Sequence, residues 1–153
     1  MNRDFVLNTM IGLSDGLMVP FAIAAGMSAF GISTGYILLT CLLISLAGSI
    51  TMSTGAFLTA KKYEPLQRPY VAAWVIGLSY LLGGMICISP FIFFGSPTES
   101  LKWSGVITLP LLFVCGYIEG NSHGDRGWIS GIRAALTGSI AAACAYGISQ
   151  LFK

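Results

Sequence analysis

The sequence predicts an all-α integral membrane protein built as a bundle of five transmembrane helices. Charged residues make up 9% of the 153 residues and hydrophobic residues 55%, and the mean hydropathy is +0.80. Soluble domains carry about 25% charged residues, so this chain cannot cover its apolar surface in water. Its apolar residues fall into five stretches of about the 20 residues that cross a bilayer as a helix. None shows the alternation of a barrel strand.

Residues that interrupt a membrane helix bound each predicted span. The turn sequence GIST at 31–34 separates the first two spans, and KKYEPLQRP at 61–69 separates the second from the third. GSPTES at 95–100 precedes the fourth span, which is the shortest and contains Pro110, and EGNSHGDRG at 119–127 precedes the fifth. The spans form one transmembrane domain over 1–153 and cover residues 5–30, 36–60, 70–94, 101–118 and 128–152.

The basic residues predict the orientation of the bundle, because cytoplasmic connections carry an excess of Lys and Arg. If the helices alternate in direction, Lys102 and Lys153 fall on one side. The remaining basic residues fall on the other: Arg3, Lys61, Lys62, Arg68, Arg126 and Arg133. We therefore expect a cytoplasmic N-terminus. The short loops and the lack of a targeting extension favour the inner membrane of a prokaryotic cell.

Several functional classes are excluded by composition. The net charge is only +2 and the basic residues are scattered, so no clustered basic face for nucleic acid is expected. The chain contains no nucleophile–base set, phosphate loop or cofactor motif, so we expect neither an enzyme nor a resident cofactor. Each cysteine lies alone inside an apolar run, which favours a small buried hydrophobe over a disulfide or a metal ligand: Cys41, Cys87, Cys115 and Cys144.

Small residues recur at helical spacing in two of the spans. The first span contains Gly12, Gly16 and Gly26, and the fifth contains a stripe that includes Gly131 and Gly138. Such stripes let membrane helices approach closely, where lipid supplies no hydrophobic drive for association. Two interpretations stay open: packing within one bundle, or packing across a dimer interface.

Asp15 is the one carboxylate deep within a span. It lies twelve residues after Arg3, or about 18 Å along a helix, and an ionised group at that depth costs about 2.5–3.5 kcal/mol. A cation or proton site explains this cost. The alternative is a protonated carboxyl group hydrogen-bonded to a neighbouring helix. Pro20 cannot donate to the carbonyl of Gly16, so that oxygen is expected to face a cavity or an ion.

Met52 lies in a polar segment of the second span, SITMSTG at 49–55. Counted from Lys61 on the same side, it is about 13 Å deep, comparable with Asp15. A carboxylate beside a thioether suits a borderline metal such as Fe²⁺ better than Mg²⁺ or Ca²⁺. The alternative is a methionine that fills a gap between helices.

Four segments together resemble the vacuolar iron transporter family. RDFVLNTMIGLSDGLMVPFAIAAGMS at 3–28 is similar to the first helix of that family, and AGSITMSTGAFLTAK at 47–61 to its Met-containing second helix. GLSYLLGGMICISPFIF at 77–93 resembles the third helix, and GIRAALTGSIAAACAYGISQLF at 131–152 the fifth. The resemblance covers nearly the whole chain in order.

The resemblance implies a homodimer in the bilayer whose first helices line a metal path. Members of the family export Fe²⁺, and often Mn²⁺, from the cytoplasm in exchange for protons. Carried over by motif, Asp15 is the metal and proton carboxylate and Met52 the soft ligand. One copy of each is too few for a divalent ion, and a dimer supplies two of each. The metal is then the transported substrate and not a cofactor.

Two departures from the family pattern affect metal capture. Many members carry a Glu-rich insertion after the second helix, whereas here that link is KKYEPLQRP with Glu64 as its carboxylate. The second-helix motif G-E-Y is replaced by GAF, which places Ala56 where a glutamate often stands. Two further hypotheses therefore stay open: a non-transporting assembly component or degenerate family member, and a proton-coupled carrier of small organic solutes that uses Asp15.

The polar residues that remain receive weaker interpretations. Glu119, His123 and Asp125 either form a solvated loop or meet an incoming cation. Arg133 either extends towards the headgroups or balances the charge of Asp15. Tyr80 and Tyr146 lie in mid-span and need partners for their hydroxyl groups, whereas the tryptophans lie near span ends as interfacial anchors.

Overall fold

The computed structural model describes residues 3–63 and 68–152 as a helical bundle. Five helices are long and apolar enough to cross a membrane, which confirms the predicted all-α class. No strand occurs in the described ranges. The short α4 continues α3 past a bend at Ser89, where Pro90 interrupts the helix. The elements are α1 Arg3–Ala29, α2 Thr34–Tyr63, α3 Pro69–Ile88, α4 Pro90–Phe93, α5 Pro97–His123 and α6 Gly127–Leu151.

The fourth membrane helix is longer than the predicted span 101–118. It begins at Pro97, a residue suited to the first helical turn, and continues through Pro110. It ends at Gly124, whose φ of 85° is the left-handed conformation that terminates many helices. The connection to α6 is therefore shorter than the expected loop 119–127. The physical reason is that Gly124, and not Glu119, breaks the helix.

Glycines bring α1 and α3 into close parallel contact. A Cβ added at Gly12 would lie 2.5 Å from the Ile76 carbonyl oxygen, and one at Gly16 would overlap the backbone of Tyr80. The order of these contacts shows that the two helices run in the same direction. The small residues of the first span therefore allow two backbones of the same bundle to meet.

The second helix lies antiparallel to α3 and is joined to it by a hydrogen bond. Ser49 Oγ donates to the Gly77 carbonyl oxygen over 2.9 Å. Further along the same contact, Gly48 faces the ring of Tyr80 and Gly84 faces Ser45. The third helix thus lies between α1 and α2 over much of its length. The prediction of membrane spans from sequence does not say which helices are neighbours.

The last two membrane helices form an antiparallel pair that packs on α1. Gly131 faces the carbonyl oxygen and ring of Phe113, and Gly138 faces Leu112. At the other end of the bundle, a Cβ on Gly26 would lie 3.1 Å from Ser149 Oγ. For these glycines, packing within one bundle is confirmed. The interior contains a cluster of large apolar side chains and thiols, among them Leu17, Phe21, Cys87, Leu112 and Cys115.

The four cysteines are free, and three of them are buried whereas Cys144 is exposed. This agrees with small hydrophobic side chains for the buried three. Trp74, Trp103 and Trp128 are each at least half exposed, as expected for side chains that meet lipid or the membrane interface.

One end of the bundle carries most of the described basic residues. The helix directions place the start of α1, α3 and α6 and the end of α2 and α5 together, and we call this the basic end. The basic residues at this end are Lys61, Lys62, Arg68 and Arg126. Lys102 lies at the opposite end of the bundle, near the start of α5. Lys153 and Glu64, which also entered the sequence interpretation, lie outside the described residues.

Candidate metal site

A cavity of about 350 Å³ opens between α1 and α2, and α3 forms its floor. We call it the α1–α2 groove. The groove extends along α2 as far as Ala60, next to Lys61, and we call this end, which lies towards the basic end, its mouth. Its inner end lies near Met52. The lining residues are Asn8 and Ile11 of α1, Thr51, Met52, Gly55, Ala56, Thr59 and Ala60 of α2, and Ala72 and Ile76 of α3.

Met52 lines this groove and is half-buried. Three other methionines, Met10, Met18 and Met27, pack against the hydrophobic clusters of the interior, whereas Met52 is not part of those clusters. The neighbouring Thr51 hydroxyl is bonded to its own helix, over 2.9 Å to the Gly48 carbonyl oxygen. The thioether is therefore the soft donor that the groove wall presents.

Asp15 continues the α1 wall of the groove one helical turn further in. Asn8, Ile11 and Asp15 are spaced by three and four residues and so share one face of α1. The Asp15 side chain is half-buried. Within the described part of the chain, no hydrogen bond or ion pair to the Asp15 carboxylate is present. The alternative, in which the Asp15 carboxyl group is hydrogen-bonded to a neighbouring helix, therefore finds no bonding partner in these residues.

Gly16 and Pro20 serve the packing of α1. Both are buried, and a Cβ on Gly83 would lie 3.0 Å from the Gly16 carbonyl carbon. The Pro20 carbonyl oxygen accepts a hydrogen bond from the Cys41 thiol at 3.6 Å. Gly16 belongs to the α1–α3 contact and does not line the groove. The expectation that the Gly16 carbonyl oxygen faces a cavity or an ion stays a prediction.

The groove mouth is neutral. Ala56 lines it at the position where the resemblance expects a glutamate, and Asn8 and Thr59 supply amide and hydroxyl groups. Among the described lining residues, none carries a carboxylate. Neutral oxygen donors attract a divalent cation less strongly than carboxylates do, so the mouth itself holds a metal weakly.

The polar residues near the α5–α6 connection surround a separate cavity of about 260 Å³. Glu119 and His123 lie in α5 and not in a loop, and His123 Nδ1 lies 3.1 Å from the Glu119 carbonyl oxygen. Arg133 and Asp125 line the same cavity, so Arg133 faces these groups instead of the groove. Across the described residues, no group of three or more His, Cys, Asp or Glu side chains is arranged to hold a metal.

Sequence reasoning missed three parts of the groove. Asn8 was not singled out, although its spacing from Asp15 places it on the same helical face. Ala72 and Ile76 form the floor, and they carry no polar signal by which a sequence could identify them. Tyr80, noted only as a hydroxyl in need of a partner, lies one turn further along the same face of α3.

Comparison with known proteins identifies the group to which this architecture belongs. The VIT family model matches residues 6–67 and 62–150, which include most of every membrane helix. The chain belongs to the VIT family. Its relatives there are transporters by name, in agreement with the prediction that this VIT family member is not an enzyme.

Relatives of this chain occur in plants and fungi. Vacuolar iron transporter 2 of Oryza sativa subsp. japonica is 25% identical, over 96% of this chain and 87% of that protein. Vacuolar iron transporter 1 of Tulipa gesneriana is 26% identical over the same shares. Protein CCC1 of Saccharomyces cerevisiae is 23% identical, over 92% of this chain and 67% of its own length.

The VIT family alignments also locate a difference in length. The alignment with the rice protein has 214 positions, more than the 153 residues of this chain, so the relative contains residues with no counterpart here. The two segments matched by the family model overlap at 62–67, which covers the last two residues of α2 and the start of its link to α3. This is the link in which the resemblance placed the missing metal-collecting insertion.

Proposed function

We propose that this protein transports a divalent transition metal, Fe²⁺ or Mn²⁺ or both, out of the cytoplasm through the α1–α2 groove in exchange for protons. One observation carries the proposal: Met52 lines a cavity in the membrane region whose α1 wall continues to Asp15, a carboxylate without a hydrogen bond or ion pair among residues 3–63 and 68–152. The names of its VIT family relatives, iron transporters of plant vacuoles among them, support the choice of substrate.

The donor set explains the metal class. A carboxylate and a thioether together favour a borderline ion such as Fe²⁺ over Mg²⁺ or Ca²⁺. One Asp15 and one Met52 leave a divalent ion with too few ligands, so we propose a homodimer in which two grooves face each other. Two carboxylates brought close together resist joint ionisation unless a cation lies between them. Protons that replace the departing metal give a physical basis for antiport.

The direction of transport follows from the basic end. We propose that this end, including the N-terminus, faces the cytoplasm, because cytoplasmic connections collect Lys and Arg. The groove mouth lies towards the same end, so the metal enters from the cytoplasm. The proposed location is the inner membrane of a prokaryotic cell.

A second candidate function rests on the neutral mouth of the groove. Ala56 in place of a glutamate, together with the short α2–α3 link, favours a non-transporting assembly component or degenerate family member. A carrier of small organic solutes would also use Asp15 but would ignore metals. These alternatives differ from the main proposal in whether the purified protein alone moves a metal ion.

The test uses proteoliposomes that contain a metal-quenched dye and a pH dye. Fe²⁺ under reducing conditions, or Mn²⁺, is added outside, and we expect metal influx with proton movement in the opposite direction. Asp15→Asn should reduce both signals to background while the bundle stays folded. Asp125→Asn is the matched control, because this exposed carboxylate lies by the α5–α6 cavity, away from the groove. Absence of metal flux from folded wild-type protein would contradict the proposal.

A further inference from the structure

Tyr80 lies next to the inner end of the α1–α2 groove, one helical turn beyond the lining residue Ile76. Ala72 and Ile76 form the groove floor, and Tyr80 follows Ile76 by one helical turn on the same face of α3. The side chain is only 4% exposed. A Cβ added at Gly48 of α2 would lie 2.5 Å from the ring atoms Cε1 and Cζ and from the hydroxyl oxygen. The ring thus spans from α3 to the backbone of α2.

The Tyr80 side chain is buried as a whole, and its hydroxyl group makes no hydrogen bond among the described residues. Asp15 lies at the same level of the bundle, because its neighbour Gly16 packs against the Tyr80 backbone. Beyond Tyr80 the first two helices close on each other, where the Cys41 thiol donates to the Pro20 carbonyl oxygen. Ser45, just past Gly48 on α2, is 1% exposed.

These contacts place one aromatic ring between an open cavity and a closed interior. Gly48 leaves room for the ring to lie against α2, and any larger residue there would displace it. The groove therefore narrows at Tyr80 through a side chain and not through a helix backbone. Because the obstruction is a side chain, a change of its rotamer opens the closure while the helices keep their order in the bundle.

We propose that Tyr80 closes the inner end of the α1–α2 groove, and that a metal ion passing inward from Met52 must displace its ring at the level of Asp15. The identity of the cargo rests on the proposed function, whereas the closure itself does not. The ring supplies the barrier. Tyr80 is thus a positioning residue of the path, and it separates an accessible outer segment from an inaccessible inner one.

Thiol accessibility tests the closure without any metal. In a Cys144→Ser background, the remaining native cysteines are buried. Ala56→Cys reports on the groove itself, and Ser45→Cys reports on the inner side of Tyr80. A small charged thiosulfonate reagent is added to permeabilised proteoliposomes, and labelling rates are measured. We expect fast labelling of Ala56→Cys and slow labelling of Ser45→Cys.

Removal of the ring should expose the inner reporter. With Tyr80→Ala, labelling of Ser45→Cys should rise about tenfold or more, the factor that corresponds to a closure worth about 1.4 kcal/mol. Tyr80→Phe keeps the ring and should leave labelling slow. Gly48→Ala should raise it independently, because the new methyl group displaces the ring. Tyr146→Ala, on the partly exposed face of α6, is the matched control and should change nothing.

The outcomes separate the two proposals. Unchanged labelling of Ser45→Cys in Tyr80→Ala, with Ala56→Cys still reactive, would overturn the closure even if wild-type protein transports metal. Fast labelling in Tyr80→Phe would overturn the role of the ring. Ring-dependent labelling in a protein that moves no metal would support the closure and overturn the proposed function. If Tyr80→Ala does not fold, the labelling rate of Ser45→Cys is compared between Gly48→Ala and Gly147→Ala. Gly147→Ala is the control, because a Cβ at Gly147 meets open space. Equal labelling rates in the two variants would overturn the closure.

Discussion

The contact between Gly16 and Tyr80 predicts a large loss of stability for a very small substitution. In Gly16→Ala, the added Cβ would overlap the Tyr80 carbonyl oxygen and lie 2.8 Å from its carbonyl carbon and 2.9 Å from its Cα. Ordinary van der Waals contact begins at 3.4 Å. These atoms belong to a helix backbone and not to the end of a flexible side chain. The clash is therefore relieved only if α1 and α3 move apart.

The magnitude follows from how far the helices must move. Separation by about half an ångström brings the Tyr80 Cα to ordinary contact, and the carbonyl oxygen requires more. Overpacking of a well-packed interior costs about 1–3 kcal/mol. Gly12 and Gly83 lie in the same contact, so the strain spreads along it and we expect a value of about 2–3 kcal/mol. The shift should also move Tyr80 relative to the groove.

Equilibrium unfolding in mixed micelles, titrated with a denaturing detergent, measures this loss. Gly147→Ala is the matched control, because its Cβ meets nothing within 4 Å and alanine is the better helix former by about 1 kcal/mol. We expect Gly16→Ala to lose stability and Gly147→Ala to keep or gain it. Equal stability of the two variants would refute the close approach of α1 and α3.

Three other predictions follow from single contacts. Ser104→Ala removes the 2.7 Å hydrogen bond to the Cys87 carbonyl oxygen and should lower the free energy of unfolding by about 0.6 kcal/mol in the same titration. Ser122→Ala is the control, because the Ser122 hydroxyl bonds only its own helix. An equal loss of stability in both variants would contradict the prediction. Met52→Ala should raise KM for Fe²⁺ more than for Mn²⁺ in transport assays, because a thioether favours the softer ion; equal effects would remove Met52 from the ligands. In the folded protein, a maleimide should label Cys144 alone among the cysteines, because the other three are buried. Mass spectrometry at early times measures the labelling. Early labelling of Cys115 would contradict the packing of α1 against α5.

Local sequence predicts the class of the protein, and it proposes Asp15 and Met52 as site residues. Hydropathy and length suffice for five membrane helices, because every backbone polar group in a bilayer must be satisfied within its own helix. Counting residues from the charged ends placed Asp15 and Met52 at similar depth, since each residue of a helix advances by a fixed rise. The structure puts Met52 on the groove and Asp15 on the face that continues it.

The helix ends were less accessible to prediction. Glu119 and His123 read as loop residues because they are polar, but a membrane helix continues past the bilayer core wherever nothing terminates it. Gly124 provides the termination by adopting a left-handed conformation. Polarity marks where the membrane ends, and backbone geometry marks where the helix ends.

Sequence alone determined what crosses the membrane, and only the tertiary structure decided which helices meet. The glycines of α1 were equally compatible with a neighbour in the bundle or a second subunit, because a small face is complementary to any other close-packing face. In the structure, Gly16 contacts the backbone of Tyr80 and Gly48 contacts its ring. These contacts place a tyrosine from the middle of a span at the inner end of the groove. Lipid gives no hydrophobic preference for one partner over another. The pairing is therefore a property of three-dimensional fit, which no local pattern of residues contains.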